Sequence, residues 1–259
     1  MLRNVTKLAD FAIQATDGNI GKVKRFFFDD EDWAIRYLIV ETGNWIVRRN
    51  EVLISPIFIR ELDWDNSEIH VNLTRDQVKH SPPMDSQQPI SRKQEQEFFS
   101  YYRTPAYWSG YGLWGTGMHP EDMLSLAREP KAATWETSPE ATSSEAKAEV
   151  RLHSSRELLK HKVFAYRGEV GKIVDIIFDD RSWAIRYLVV EPKKLLAGRK
   201  VLLSPWWTRE ISWKQKLVFV DMENATIEDA PTHDPNQPVT PEYEERLVKH
   251  YGRSAVWKR

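Results

Sequence analysis

A long internal repeat is the feature that most constrains the fold of this chain. The segment Phe28–Glu41 recurs as Phe178–Glu191, with the same Trp-Ala-Ile-Arg-Tyr-Leu run at its centre. A second block, Val52–Pro56, recurs as Val201–Pro205, so the similarity continues well beyond one strand. Two copies of this length indicate two domains of one fold, each of about one hundred residues, the common size for a domain.

The repeat divides the chain into three parts. Residues 1–110 hold the first copy and residues 150–259 the second. Residues 111–149 between them begin with glycine and aromatic residues and end in a run of Ser, Thr, Glu and Ala. This composition is typical of a flexible linker.

Short β-strands are predicted throughout each copy. The runs Val23–Phe28 and Trp33–Val40 are rich in β-branched and aromatic residues and flank the acidic turn Asp29–Asp32, a pattern that predicts a β-hairpin. A third strand at 51–55 ends before Pro56, and a second hairpin follows at 59–73. About six short strands at this spacing are typical of a small antiparallel barrel.

A helix is predicted after the strands of each copy. Ser91 is a suitable N-cap for the polar and aromatic run Arg92–Tyr102. In the second copy, Thr240 and Pro241 stand at the cap and first-turn positions of the equivalent helix.

The repeated pattern of Gly-Lys, Phe-Asp-Asp, Trp-Ala-Ile-Arg-Tyr-Leu and Ser-Pro resembles the PRC-barrel family. That family takes its name from the cytoplasmic domain of the photosynthetic reaction-centre H subunit, and a ribosome-maturation factor shares its fold. The resemblance covers both copies, about four fifths of the chain. It implies a mainly β protein with two small antiparallel PRC-type β-barrels in tandem, each followed by a short helix, that docks proteins and carries no catalytic motif.

Composition excludes several classes of function. The chain has 37 Lys and Arg against 38 Asp and Glu, which argues against nucleic-acid binding. It has no cysteine, which excludes disulfides and thiolate metal sites. No apolar run is long enough for a signal peptide or a transmembrane helix. We therefore expect a cytoplasmic protein, and the resemblance implies a bacterial one.

No residue pattern points to catalysis, a cofactor or a metal. Nucleophile-elbow and Gly-rich phosphate motifs are missing, and no two histidines have zinc-ligand spacing. The acidic turn Asp29–Asp32 could hold a hard cation, but its equivalent contains Arg181 and Ser182, which favours a solvated turn. We therefore expect a protein that is not an enzyme.

Two arginines lie in otherwise apolar predicted strands, Arg36 in the first copy and Arg186 in the second. If the hairpin turn closes symmetrically, Asp175 faces Arg186, whereas Arg25 faces Arg36. The like-charged pair Arg25 and Arg36 is therefore a candidate anion-binding spot. The alternative is an arginine that extends from the barrel wall into solvent.

Aromatic residues form a candidate interaction surface, because Tyr and Trp dominate the energetics of many interfaces. The alternative is that they pack on their own barrel. The candidates lie at the end of the first predicted helix, after that helix, or after Pro205: Tyr101, Tyr102, Tyr107, Trp108, Tyr111, Trp114, Trp206 and Trp207.

The leading functional hypothesis is a non-enzymatic docking or assembly module with an unidentified protein partner. This hypothesis has three forms: the two barrels pack on each other, the chain homo-oligomerises, or each barrel holds one of two tethered partners. The alternative is a regulator that binds a small ligand or ion at the barrel mouth and is linked to electron-transfer complexes.

Overall fold

Two seven-stranded sheets dominate the computed structural model, which describes residues 1–43, 51–83, 90–127, 152–193 and 198–253. The protein is mainly β, as predicted. Each sheet belongs to one compact unit. The copy-one unit comprises Ala9–Ser154 and Arg181–Trp183, and the copy-two unit comprises Met1–Leu8, Ser155–Asp180 and Ala184–Arg259. Most of the predicted linker, 128–149, lies outside the described residues.

The sheet of the copy-one unit has the order β5-β4-β3-β2-β7-β6, and β8 also pairs with β3. Strand β4 lies at the centre of the core, with every side chain from Ala34 to Val40 buried. The strands are β2 (Ala12–Ala15), β3 (Gly18–Asp29), β4 (Ala34–Glu41), β5 (Glu51–Ile54), β6 (Ile59–Asp63), β7 (Glu68–Val71) and β8 (Leu152–Ser154).

The sheet of the copy-two unit repeats this topology. Its order is β12-β11-β10-β9-β14-β13, and β1 also pairs with β10. The strands are β1 (Leu2–Asn4), β9 (Lys162–Ala165), β10 (Gly168–Asp179), β11 (Ile185–Pro192), β12 (Val201–Leu203), β13 (Thr208–Ser212) and β14 (Leu217–Val220).

The sheets are not purely antiparallel, and this corrects the prediction. Strand β2 pairs with β7 in parallel, and β9 pairs with β14 in the same way. The reason lies in the 3-10 turn Pro56–Phe58 between β5 and β6, which continues the chain without a hairpin reversal. Among the described residues no pairing joins β5 to β6, so the sheet is open and the predicted closed barrel is not confirmed.

The first strand of each copy pairs with the sheet of the other copy. Strand β1 precedes copy one, but Leu2 lies opposite Asp179 in β10. Strand β8 precedes copy two, but Leu152 lies opposite Asp29 in β3. These strands supply hydrogen-bond partners to the carboxyl-terminal half of each long strand, which would otherwise be an unpaired edge. The compact units are therefore not the continuous ranges 1–110 and 150–259: Met1–Leu8 belongs to the copy-two unit, and the copy-one unit extends to Ser154 and includes Arg181–Trp183.

The hairpin turns of the two copies have the same backbone conformation. Trp33 and Trp183 both lie in the left-handed region, with φ of 53° and 59°. In copy one, the Asp29 carboxylate accepts a hydrogen bond from the amide of Asp32 and stabilises the turn. The predicted hairpin and the equivalent positions of the two tryptophans are confirmed.

The predicted helix after each sheet is confirmed. Ser91 and Gln94 form a capping box at the start of α2, and Thr240 accepts a hydrogen bond at the start of α6. Within the described ranges, no helix combines the length and apolar character needed to cross a bilayer. The helices are α1 (Arg75–His80), α2 (Arg92–Tyr102), α3 (Pro120–Ala127), α4 (Ser155–Leu158), α5 (Asn224–Glu228) and α6 (Pro241–Tyr251).

Candidate functional site

Arg36 of β4 is fully buried and surrounded by partners from its own unit. Its guanidinium donates to the carboxylates of Asp29 and Asp32, the latter at 2.9 Å, and to the carbonyl of Leu113. The rings of Tyr107 and Trp114 lie 3.8 and 4.9 Å from its central carbon. Acidic and aromatic groups therefore already compensate the charge of this arginine.

The predicted pairing of Arg25 with Arg36 is wrong. The hairpin closes with Phe28 opposite Ile35 instead of Trp33, and a register shift between Phe27 and Phe28 adds one residue, so that Arg25 lies opposite Ile39. The Arg25 guanidinium instead makes two hydrogen bonds of 2.8 Å to the carboxylate of Glu51. Because each arginine has acidic partners, the structure gives no support to an anion spot at these residues.

The predicted pairing of Asp175 with Arg186 is also wrong. The second hairpin closes in the same way, with Phe178 opposite Ile185, and a register shift between Ile177 and Phe178 places Asp175 opposite Val189. Its carboxylate accepts hydrogen bonds from Asn4 at 2.9 Å and from the Thr6 hydroxyl at 2.6 Å. Arg186 instead forms an ion pair of 3.0 Å with Glu244 of α6.

A buried carboxylate on α2 forms a second polar cluster, which the sequence reasoning missed. Glu95 is fully buried and accepts hydrogen bonds from the hydroxyls of Tyr37 at 3.1 Å and Tyr107 at 2.9 Å. Arg92 donates to its other oxygen at 3.1 Å. Burial raises the pKa of Glu95 to about 7. The sequence repeat could have revealed this pair. Tyr37 and Glu95 recur in copy two as Tyr187 and Glu244, which share a hydrogen bond of 2.9 Å.

We expect Glu95 to make stability depend on pH. Its pKa rises from 4.5 in the unfolded chain to about 7 on folding, so the folded state holds more protons between these values. The free energy of unfolding should therefore fall as pH rises through this window, by up to about 3 kcal/mol, and then level off. Urea unfolding from pH 4.5 to 8 should show this decline, and Glu95→Gln should remove it.

The exposed Glu97 on the same helix provides the control for the pH experiment. Glu97→Gln removes one carboxylate without opening the cluster, so its unfolding free energy should follow the wild-type pH profile. A decline of the same size in Glu95→Gln would contradict the assignment of the pH dependence to Glu95.

The glycine-rich loop after α2 packs on its own unit. Tyr107 and Trp114 are buried, and Trp108 lies 3.8 Å from the guanidinium carbon of Arg92. The loop is tight: a Cβ on Gly112 would lie 2.3 Å from the carbonyl oxygen of Gly117. The structure thus favours self-packing for this part of the candidate surface.

The other candidates near the loop differ in exposure. Tyr102 packs against Phe58 at 4.6 Å between ring centroids. The Tyr101 hydroxyl donates to the carbonyl of Gln77 at 2.8 Å, although part of its ring is exposed. Tyr111 is fully exposed.

The last two candidates lie in the 3-10 turn Pro205–Trp207 and point to different environments. Trp207 is buried against Tyr251, whereas Trp206 is 47% exposed. The equivalent of Trp206 in copy one is Ile57, which is 0% exposed. The copies therefore differ in what covers this turn.

Helix α3 explains the burial of the turn in copy one. It packs directly against the turn Pro56–Phe58, and its Met123 is buried. Within the candidate surface, Trp206 is therefore exposed in copy two although its equivalent in copy one is buried.

Comparison of the chain with models of known protein families gives no match, and comparison with curated proteins gives none either.

Proposed function

We propose that this chain is a non-enzymatic docking module made of two PRC-type barrels, and that it binds a protein partner. The mainly β architecture and its repetition in two units support this proposal. The ion pairs of the two arginines support the non-enzymatic part of the proposal. The carboxylates around Arg36 and Arg25 hold these side chains in place.

The main observation behind the proposal is the exposed indole of Trp206. Trp206 lies between two buried neighbours, Pro205 and Trp207, so its backbone is held rigidly while its side chain is 47% exposed. A pre-positioned aromatic side chain of this kind loses little entropy on binding and is the residue type enriched in interface hot spots.

The test compares proteins retrieved from native cell extract by tagged full-length chains. Loss of a tryptophan hot spot costs about 2 kcal/mol, so Trp206→Ala should weaken binding of the true partner about 30-fold. Tyr166→Ala removes an exposed aromatic ring outside the candidate surface and should leave binding unchanged. If every retrieved protein binds the Trp206→Ala variant as well as the wild type, the docking surface is elsewhere and the proposal fails.

A further inference from the structure

We infer that the copy-two unit binds a small organic carboxylate in a cavity at the start of α6. The cavity has a volume of about 300 Å³ and is lined by residues of the segment 232–240 and by Tyr243 and Arg246 of the helix. A cavity of this size takes a molecule of about ten non-hydrogen atoms. The inference is independent of the proposed docking function, because no residue of the cavity belongs to the candidate interaction surface.

Arg246 supplies the positive charge of the cavity. Its guanidinium carbon lies 5.4 Å from the centre of the Tyr243 ring, and no carboxylate of the described residues forms an ion pair with it. Arg199 adds a second positive charge behind the wall, where it donates a hydrogen bond of 3.0 Å to the Thr232 hydroxyl. Because arginine binds a carboxylate through two parallel hydrogen bonds, Arg246 is suited to hold the charged end of the ligand.

Asp234 is the only acid among the described residues that line the cavity. Its carboxylate accepts a hydrogen bond of 2.9 Å from the amide of Asn236, and the side chain is exposed. The negative charge is therefore stabilised by its own turn and by solvent, and it leaves Arg246 available to a ligand.

His233 gives the wall of the cavity a hydrogen-bonding group without a partner. Its side chain is 4% exposed, and its Nε2 is buried with no hydrogen-bond partner among the described residues. Burial lowers the pKa of His233, so the imidazole is neutral at pH 7. An unpaired buried polar atom is unfavourable, and a polar atom of a bound molecule would remove that cost.

Apolar groups line the same cavity, which favours an organic ligand over a bare inorganic anion. They are Pro238, Val239 and the ring of Tyr243. The Tyr243 hydroxyl donates a hydrogen bond of 2.8 Å to the carbonyl of Pro231, which holds the ring in place before any ligand arrives.

The repeat separates the residues that build the cavity from those that would bind the ligand. The Gln237-Pro238 pair recurs in copy one as Gln88-Pro89. The binding groups instead correspond to uncharged or acidic residues of copy one: His233 to Met84, Tyr243 to Gln94 and Arg246 to Glu97. An acid at the arginine position repels a carboxylate, so we expect one ligand for each chain.

The test titrates the full-length protein with benzoate and follows the ring nitrogens of its histidines by NMR. Benzoate carries one carboxylate on a small apolar ring, and benzamide is its neutral isostere. We expect saturable binding with a dissociation constant of about 1 mM and a change in the His233 nitrogen signals. Benzamide should bind at least about tenfold more weakly, because it cannot form an ion pair with Arg246.

A pair of charge-reversal variants locates the bound carboxylate. Arg246→Glu should weaken benzoate binding at least about tenfold, and its unfolding in urea should match the wild type because Arg246 is exposed. Arg156→Glu makes the same change at an exposed arginine of the same unit that does not line the cavity. This control should bind benzoate as the wild type does.

Three results would overturn the inference. The first is the absence of a saturable change at His233 up to about 20 mM benzoate, well above the expected dissociation constant. The second is equal binding of benzoate to the wild type and Arg246→Glu, or of benzamide and benzoate to the wild type. The third is binding of inorganic phosphate as tightly as benzoate, which would show an anion site that makes no use of the apolar wall.

Discussion

Deletion of Met1–Leu8 should destabilise the copy-two unit, although these residues precede copy one in the chain. The deletion removes β1 from its pairing with β10 and removes the buried side chains of Val5 and Leu8. It also leaves the Asp175 carboxylate without its hydrogen bonds from Asn4 and Thr6. Together these losses should cost about 4 kcal/mol or more.

Hydrogen exchange followed by mass spectrometry would check this prediction and contains its own control. Amides of β10 and β11 should lose protection in the deleted chain, whereas those of β3 and β4 should exchange at wild-type rates. The opposite result, with protection lost in β3 and β4 alone, would contradict the exchange of first strands between the copies.

Replacement of Arg36 by methionine should strongly destabilise the copy-one unit. Methionine keeps most of the apolar stem but removes the charge, so the Asp29 carboxylate, itself 2% exposed, stays buried without its cation. Breaking a buried pair in this way costs about 3–5 kcal/mol. Urea unfolding of the Arg36→Met chain should show a loss of this size.

Copy two offers a matched control for this substitution. Arg186 occupies the equivalent position, but its side chain and that of its partner Glu244 are each 16% exposed. Arg186→Met should therefore cost clearly less, about 1–2 kcal/mol. In the double variant Asp29→Asn with Arg36→Met, part of the loss should be recovered, because the uncompensated charge is gone. Equal losses for Arg36→Met and Arg186→Met would show that burial of the pair is not what matters.

Local sequence determined the elements of this fold. The β-branched and aromatic content of 23–40 around an acidic turn predicted the hairpin, and Ser91 and Thr240 predicted the helix starts, because strand propensity, turns and capping depend on neighbours in the chain. The repeat predicted that Trp33 and Trp183 occupy equivalent positions, and both have the same left-handed backbone.

The candidate site was predicted only in part. The sequence singled out Trp206 and Trp207 together, but burial separates them, because Trp207 packs on Tyr251 while Trp206 has no equivalent of α3 seated over it among the described residues. Exposure is set by which distant element reaches a position, and adjacent residues in a turn face different surroundings.

Identity, spacing and turn chemistry in the sequence determined that the chain has two copies of one β-rich unit with a helix after each sheet. Tertiary structure alone decided the register around Arg25 and Asp175, since the residue pair at which the hairpin closes, together with each bulge, moves every cross-strand partner. It also decided that β1 and β8 pair with the other copy's sheet, because strand pairing joins segments far apart in sequence through backbone hydrogen bonds that are the same for any side chain.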